Sequence, residues 1–158
     1  MTDFVTAGAP EAVTLDWLLA PTGLPESGRD LESAIAIALL TDGLARPDDR
    51  LPRFDDDDRR GWWADRDARE IWGAPPIGSR LWLLSREKRM PEVLARAEQY
   101  ARDALAFLTS PESRIATRVV VEASFFGEAG LALVIRIERG QADAIELRFQ
   151  VLWDIYGG

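Results

Sequence analysis

Histidine and cysteine are both absent from the 158 residues, and these two gaps remove much catalytic chemistry. Without an imidazole there is no Ser-His-Asp triad, no side-chain base with an ordinary pKa near neutrality and no histidine metal site. Without a thiol there is no cysteine nucleophile, no structural zinc and no disulfide, a composition that fits a reducing compartment. Long apolar runs are also missing. The longest, Ala34 to Leu40, is far too short to cross a bilayer. The opening Met1-Thr2-Asp3-Phe4-Val5-Thr6 lacks the basic start and apolar centre of a signal peptide, so synthesis and retention in the cytoplasm are expected unless a larger assembly carries the chain out. Positive charge is in deficit as well. With 19 basic against 27 acidic residues the net charge is −8, which repels a phosphate backbone. The arginines are mixed with acids throughout, so no basic patch offsets that charge and no nucleic-acid partner is expected.

What is present suits one folded domain. An apolar share of 47% beside 29% charged residues is ordinary for a globular chain of this length. The pattern predicts an α+β fold: helices packed on a C-terminal antiparallel three-stranded meander, with a long Trp-rich loop and an N-terminal strand. Residues 1–29 read as an N-terminal arm carrying that strand at Val13–Leu19, with residues 1–10 poorly ordered, and residues 30–158 as a single α+β domain. Asp30 is placed to cap a helix over Leu31–Thr41 that Asp42-Gly43 would close. Pro91 opens a second helix, with Glu92 in its first turn and Leu94, Ala97, Ala101, Ala104, Leu105 and Leu108 at helical spacing. Glu92/Arg96 and Glu98/Arg102 are spaced to pair on its other side. Between the two helices, Ser79 could cap a short helix from Arg80 to Lys88.

The last third changes period. Three alternating runs, Val119 to Phe125, Leu131 to Ile137 and Ile145 to Trp153, are separated by Gly127-Glu128-Ala129-Gly130 and Gly140-Gln141-Ala142-Asp143. That is the pattern of an antiparallel meander with one apolar face and one charged face.

Two stretches stand apart, Asp57-Asp58-Arg59-Arg60-Gly61-Trp62-Trp63-Ala64-Asp65 and Gly78-Ser79-Arg80-Leu81-Trp82-Leu83-Leu84-Ser85-Arg86-Glu87-Lys88. They hold three of the six tryptophans, and the first lies in a connection over residues 44–78 with four prolines and three glycines. Large aromatics at that density, Trp72 included, argue for order. The arginines are expected to pair with Asp57, Asp58 and Asp65 and to stack on the indoles, locking the loop. Whether the locked loop serves its own fold or an interface is evenly balanced on residue chemistry. The apolar block Leu81, Trp82, Leu83 and Leu84 is too wide for one face of a lone helix, and burial in the chain's own core is favoured. Other readings of these residues are weaker. The run Asp55–Asp58 offers carboxylates for a divalent cation but lacks the spacing of a calcium loop. Asp58 with Asp65 could be a glycosidase pair, yet nothing singles them out among 27 acids. Arg59-Arg60 beside Trp62-Trp63 could stack single-stranded bases, but the flanking acids oppose it.

In order and content, Leu31–Asp42, the Asp58-Arg59-Arg60-Gly61-Trp62-Trp63-x-Asp65 stretch and Gly78–Lys88 resemble the landmarks of the Mu-like phage baseplate family. The helix that follows, the strand near Arg118 and the terminal Phe149-x-x-x-Trp153 also fall where that family has them, so the resemblance covers roughly residues 30–155. One departure is Ala64, where the family more often has Gly. The resemblance implies a structural tail component related to the lysozyme-like wedge proteins of contractile phages, with no catalytic residue, metal or cofactor. The partners it implies are other baseplate wedge subunits, tail tube or hub and sheath proteins, in a ring-shaped hetero-oligomer without membrane insertion. The interface residues expected on this basis are Asp58, Arg59, Arg60, Gly61, Trp62, Trp63, Asp65, Gly78, Ser79, Arg80, Leu81, Trp82, Arg86 and Trp153. An edge strand of the meander is expected to accept a strand from a neighbour or sheath subunit. A carboxylate-dependent peptidoglycan hydrolase and a soluble tail-assembly chaperone are the alternatives.

Overall fold

A computed structural model describes residues 6–8, 15–17, 30–53, 57–63, 65, 76–127 and 130–152. Asp55, Asp56, Ala64, Trp72 and Trp153 lie outside the described residues, as do most of residues 1–29. The chain divides into two compact units, Met1–Ile37 and Ala38–Gly158.

In the first unit, β1 (Thr6–Gly8) and β2 (Leu15–Trp17) pair antiparallel, with Ala7 opposite Asp16. Helix α1 (Asp30–Leu40) begins here and runs into the second unit. Its apolar content on nearly every side matches its burial: Ser33, Ile35, Ala36, Ala38 and Leu39 are buried, while Ile37 is exposed.

The second unit is α+β, with α2 (Pro91–Ala104) packed on β3 of a three-stranded sheet. Strands β3 (Arg118–Phe126), β4 (Gly130–Arg139) and β5 (Ala142–Leu152) form the antiparallel meander that the period-two pattern predicts, in the order β3-β4-β5. Inward rows such as Val121–Ile135–Leu147 cross all three strands. The inner residues of the central strand (Leu131, Leu133, Ile135 and Ile137) are fully buried, whereas Ile145, Leu147 and Phe149 of β5 are only half-buried.

Helix α2 starts at Pro91, whose missing N–H costs nothing at a helix N-terminus and whose ring holds Met90 extended. Val93, Ala97, Tyr100 and Ala101 form its buried face. Leu105 closes α2, and Leu108 is buried from a separate 3₁₀ turn, Ala106–Thr109. Glu98 and Arg102 pair at 3.6 Å as their spacing predicts. Arg96, however, reaches Glu87 at 2.8 Å in place of Glu92, because the chain just before the helix folds back beside it.

Two local expectations are corrected. Helix α1 ends at Leu40, one residue early, where the Gly43 N–H that a continuing helix would direct to Leu39 O donates instead to Ser79 O at 2.8 Å. Gly43 is correspondingly not a left-handed cap. The expected Arg80–Lys88 helix shrinks to one 3₁₀ turn, Leu81–Leu84, whose first N–H, that of Leu81, donates to the Ser79 hydroxyl oxygen at 3.4 Å. All four of its side chains are buried, which no continuing helix could achieve without burying Arg86 and Lys88 too, and the extended Met90 stops propagation.

Candidate functional site

The two distinctive stretches meet, and a backbone crossing brings them together. Asp42 and Ser79 form an isolated parallel bridge, with Gly43 N–H donating to Ser79 O at 2.8 Å. The Ser79 hydroxyl donates to Leu39 O at 2.6 Å, satisfying a carbonyl that the end of α1 leaves without a helical partner. Glycine is required on one side of this crossing. Gly78 has φ +103°, and a Cβ there would sit 2.7 Å from Thr41 O and 2.8 Å from Gly43 N.

On this crossing rests a stacked anchor. The Trp82 indole is buried, and its Nε1–H donates to Gly43 O at 2.8 Å. The Arg60 guanidinium covers the ring at 4.4 Å from its centroid and pairs with Asp42 Oδ2 at 2.5 Å. Arg60 can lie there because its own backbone is left-handed (φ 51°) and Gly61 follows at φ 96°, which reverses the chain. Asp58 Oδ1 holds that turn by accepting the Arg60 N–H at 2.8 Å. Arg59 O accepts the Ala45 N–H at 3.0 Å, and the Arg59 side chain donates to the carbonyls of Arg46 and Pro47.

The expectation that Arg60 pairs within its own stretch and stacks on the neighbouring indoles is thus corrected. Its acid is Asp42 and its ring is Trp82, since the double left-handed turn sends Arg60 back over the chain. The same turn sends the adjacent tryptophans outward. Trp63 is 83% exposed and Trp62 43%, with ring centroids 5.7 Å apart and planes tilted by 56°. Their backbone is nonetheless held: Asp65 N–H donates to Trp62 O at 2.9 Å, and the Asp65 carboxylate accepts the Ile77 N–H at 3.0 and 3.1 Å. Leu44, beside Gly61, and Ile77 are further exposed apolar residues at this loop.

A second cluster fixes the start of the 3₁₀ turn. Arg80 pairs with Asp49 at 3.1 Å and Asp103 at 2.6 Å while its guanidinium lies 4.4 Å from the Tyr100 ring centroid. The Arg80 and Asp49 side chains are only 11% and 12% exposed. Burial alone would lower the Arg80 pKa, but the hydrogen bonds and charges of Asp49 and Asp103 outweigh it and raise the value above the usual one. Arg46 at 3.3 Å and Gln99 at 2.7 Å complete the shell of Asp103.

Of the residues that the sequence singles out, Asp58, Arg59, Arg60, Gly61, Trp62, Trp63, Asp65, Gly78, Ser79, Arg80, Leu81 and Trp82 are gathered here. Arg86 stands exposed beyond the turn. Asp42, Asp49, Tyr100 and Asp103 are partners that sequence reasoning missed. A basic residue directly before a buried apolar block signals that some acid must meet it, but not which one. Among the described residues, no three acidic side chains gather as a metal site would require, and no helix is long and apolar enough to cross a membrane.

Fold and loop together describe a structural type of protein, in which charged and aromatic side chains anchor one another and hold two indoles out to solvent. The chain belongs to the family described as phage protein GP46, whose model matches residues 31–144 and so takes in both clusters and most of the meander. The baseplate protein gp46 of Escherichia phage Mu is 40% identical over 118 residues, which cover 75% of this chain and 77% of that protein. The Mu-like prophage FluMu protein gp46 of Haemophilus influenzae is 32% identical over 125 residues, covering 79% and 80% respectively. No solved structure matches the chain.

Proposed function

We propose that this protein is a structural component of the baseplate of a Mu-like contractile phage tail. Membership of the GP46 family and likeness to a Mu protein named for the baseplate support that role. The observation that carries it to particular residues is the contrast at the loop: Trp62 and Trp63 are presented to solvent on a backbone that Arg60, Asp58 and Asp65 hold in place. Exposed tryptophans on a preorganised loop lose little conformational freedom on docking, and tryptophan is enriched among the residues that dominate interfaces.

In this reading the loop docks neighbouring wedge subunits around the tail tube, the baseplate supports sheath assembly, and the anchor formed by Gly78, Ser79, Arg80, Leu81 and Trp82 keeps the loop in shape. Contacts between unlike surfaces close into a ring of subunits. The protein works as a part of the virion tail, assembled inside the host cell, and its role is architectural instead of catalytic. Mass spectrometry of gradient-purified tails tests this. The expected result is this chain at a few copies per tail beside tube and sheath proteins. Recovery solely from the soluble lysate overturns the reading.

A further inference from the structure

The second distinctive stretch runs on past the anchor. Gly78 to Leu84 are used in the crossing and the buried turn, but Arg86, Glu87 and Lys88 stand exposed, and Arg89 and Met90 continue that exposure. In a chain of net charge −8, three of the four residues Arg86–Arg89 are basic. The one acid among them is already engaged, since Glu87 pairs with Arg96 of α2 at 2.8 Å. Arginines elsewhere meet acids, as Arg60 does with Asp42, Arg80 with Asp49 and Asp103, and Arg136 with Glu146. Among the described residues Arg86 and Lys88 meet none. Arg89 has a carbonyl for its acceptor, Gly127 O, and lies 4.8 Å from the Phe125 ring centroid. The fold thus leaves three neighbouring cations without a carboxylate.

The stretch is nonetheless held. Ser85 N–H donates to Trp82 O at 3.2 Å and Glu87 N–H to Leu84 O at 3.1 Å. The Glu87–Arg96 pair ties it to α2, Arg89 ties it to the end of β3, and Pro91 keeps Met90 extended. Charge that served solubility alone would need no such fixation. Beside the cations, Met90 is 51% exposed.

We infer that the Arg86–Met90 turn is a second docking surface, which receives a short carboxylate-rich segment of a neighbouring protein with an apolar side chain set against Met90. Arg86 and Lys88 offer charge-assisted donors to carboxylates, and a thioether adapts its shape to an apolar neighbour. A segment of two or three carboxylates is matched by these cations and ends there. A nucleic acid or an anionic membrane carries charge far beyond them, and that excess meets the field of an acidic chain. The chain's own run Asp55–Asp58 in a second copy fits less well, because Asp58 already accepts the Arg60 N–H that holds the Trp62–Trp63 turn. The site involves none of the tryptophans, and it rests on the assembly reading only for the supply of a protein neighbour.

The test titrates the isotope-labelled full chain with a blocked peptide of three glutamates around one leucine. Amide shifts should concentrate at residues 85–90, and binding should weaken as salt is raised. Arg86→Glu combined with Lys88→Glu should weaken binding roughly tenfold without changing unfolding stability. The milder Lys88→Gln should still weaken it about twofold, and it keeps the test valid should the double reversal disturb the fold. Met90→Ala should weaken binding of this peptide but not of a version with alanine for leucine. Arg118→Glu, at the far end of β3 from Phe125, should leave binding unchanged. Equal loss with Arg118→Glu overturns the inference, as do shifts scattered over the whole surface. So does tighter binding of single-stranded DNA or phosphatidylserine vesicles than of the peptide, or self-association that Arg86→Glu abolishes, because the occupant is then another one. A chain that binds the peptide but is absent from tails removes the baseplate reading alone, and one that enters tails without binding it removes this inference alone.

Discussion

Trp82 and Trp63 come from motifs of nearly the same composition, tryptophan beside arginine and an acid, yet one is 7% exposed and the other 83%. The difference lies in the backbone. Around Trp82 two glycines let chain segments cross at contact distance, so the indole is trapped beneath Arg60 with its N–H satisfied. Around Trp63 two successive left-handed residues turn the chain away from the core, and the ring stands exposed beside Trp62. Residue type therefore does not assign a role to a tryptophan. The conformation of the residues just before it does.

That contrast can be broken first at Trp82. Trp82→Ala removes a buried ring and orphans a carbonyl, and should destabilise the fold by about 3–5 kcal/mol in denaturant unfolding. Arg80→Ala should follow at about 3 kcal/mol, because it strands the largely buried Asp49 without its cation. Arg60→Ala loses a half-exposed stack and ion pair, and should cost only about 1–2 kcal/mol. The exposed ring marks the other limit. Trp63→Ala should change unfolding stability by less than about 0.5 kcal/mol while excluding the chain from assembled tails. Equal destabilisation by Trp63→Ala and Trp82→Ala would erase the distinction between displayed and anchoring tryptophans.

The smallest effect concerns the sheet surface. The Arg136 hydrogen bond, and then Arg148, hold Glu146 below its ordinary value near 4.5. The unfolded chain therefore binds this proton more readily than the folded one. The resulting stabilisation is present above the ordinary glutamate range and is lost as pH falls through the depressed value. Glu146→Gln should lower neutral stability slightly and leave stability in strong acid unaltered, so that the acid limb of the profile flattens.

Where the sequence carried a strong period, the fold was legible. The alternation from Val119 to Phe149 yields the meander, and Pro91 with the apolar repeat behind it yields α2. Local signals failed where a distant segment competed for the same atoms. Ser79 looks like a cap for the turn it precedes and does accept the Leu81 N–H at 3.4 Å, but its own proton goes to Leu39 O of an earlier helix at 2.6 Å, a second partner that no local pattern announces. Gly43 looks like a helix terminator, yet its small size serves the crossing with Gly78. The loop residues stand out in the sequence as a group, because tryptophan and arginine are costly to place where the chain is irregular. Their division into anchors and displayed rings was not legible at all.

By itself the sequence determined which segments alternate at the period of a strand or a helix, which catalytic groups are missing, and which short stretches are unusual enough to mark the family. Those properties are local or compositional, so order along the chain suffices to state them. Only the tertiary structure decided that Arg60 belongs to Asp42 and Trp82, that Arg80 belongs to Asp49 and Asp103, and that Trp62 and Trp63 face solvent. Electrostatic partners are chosen by distance, and with 27 acids in the chain any arginine has many sequence-equivalent candidates until the backbone crossing brings one of them within reach.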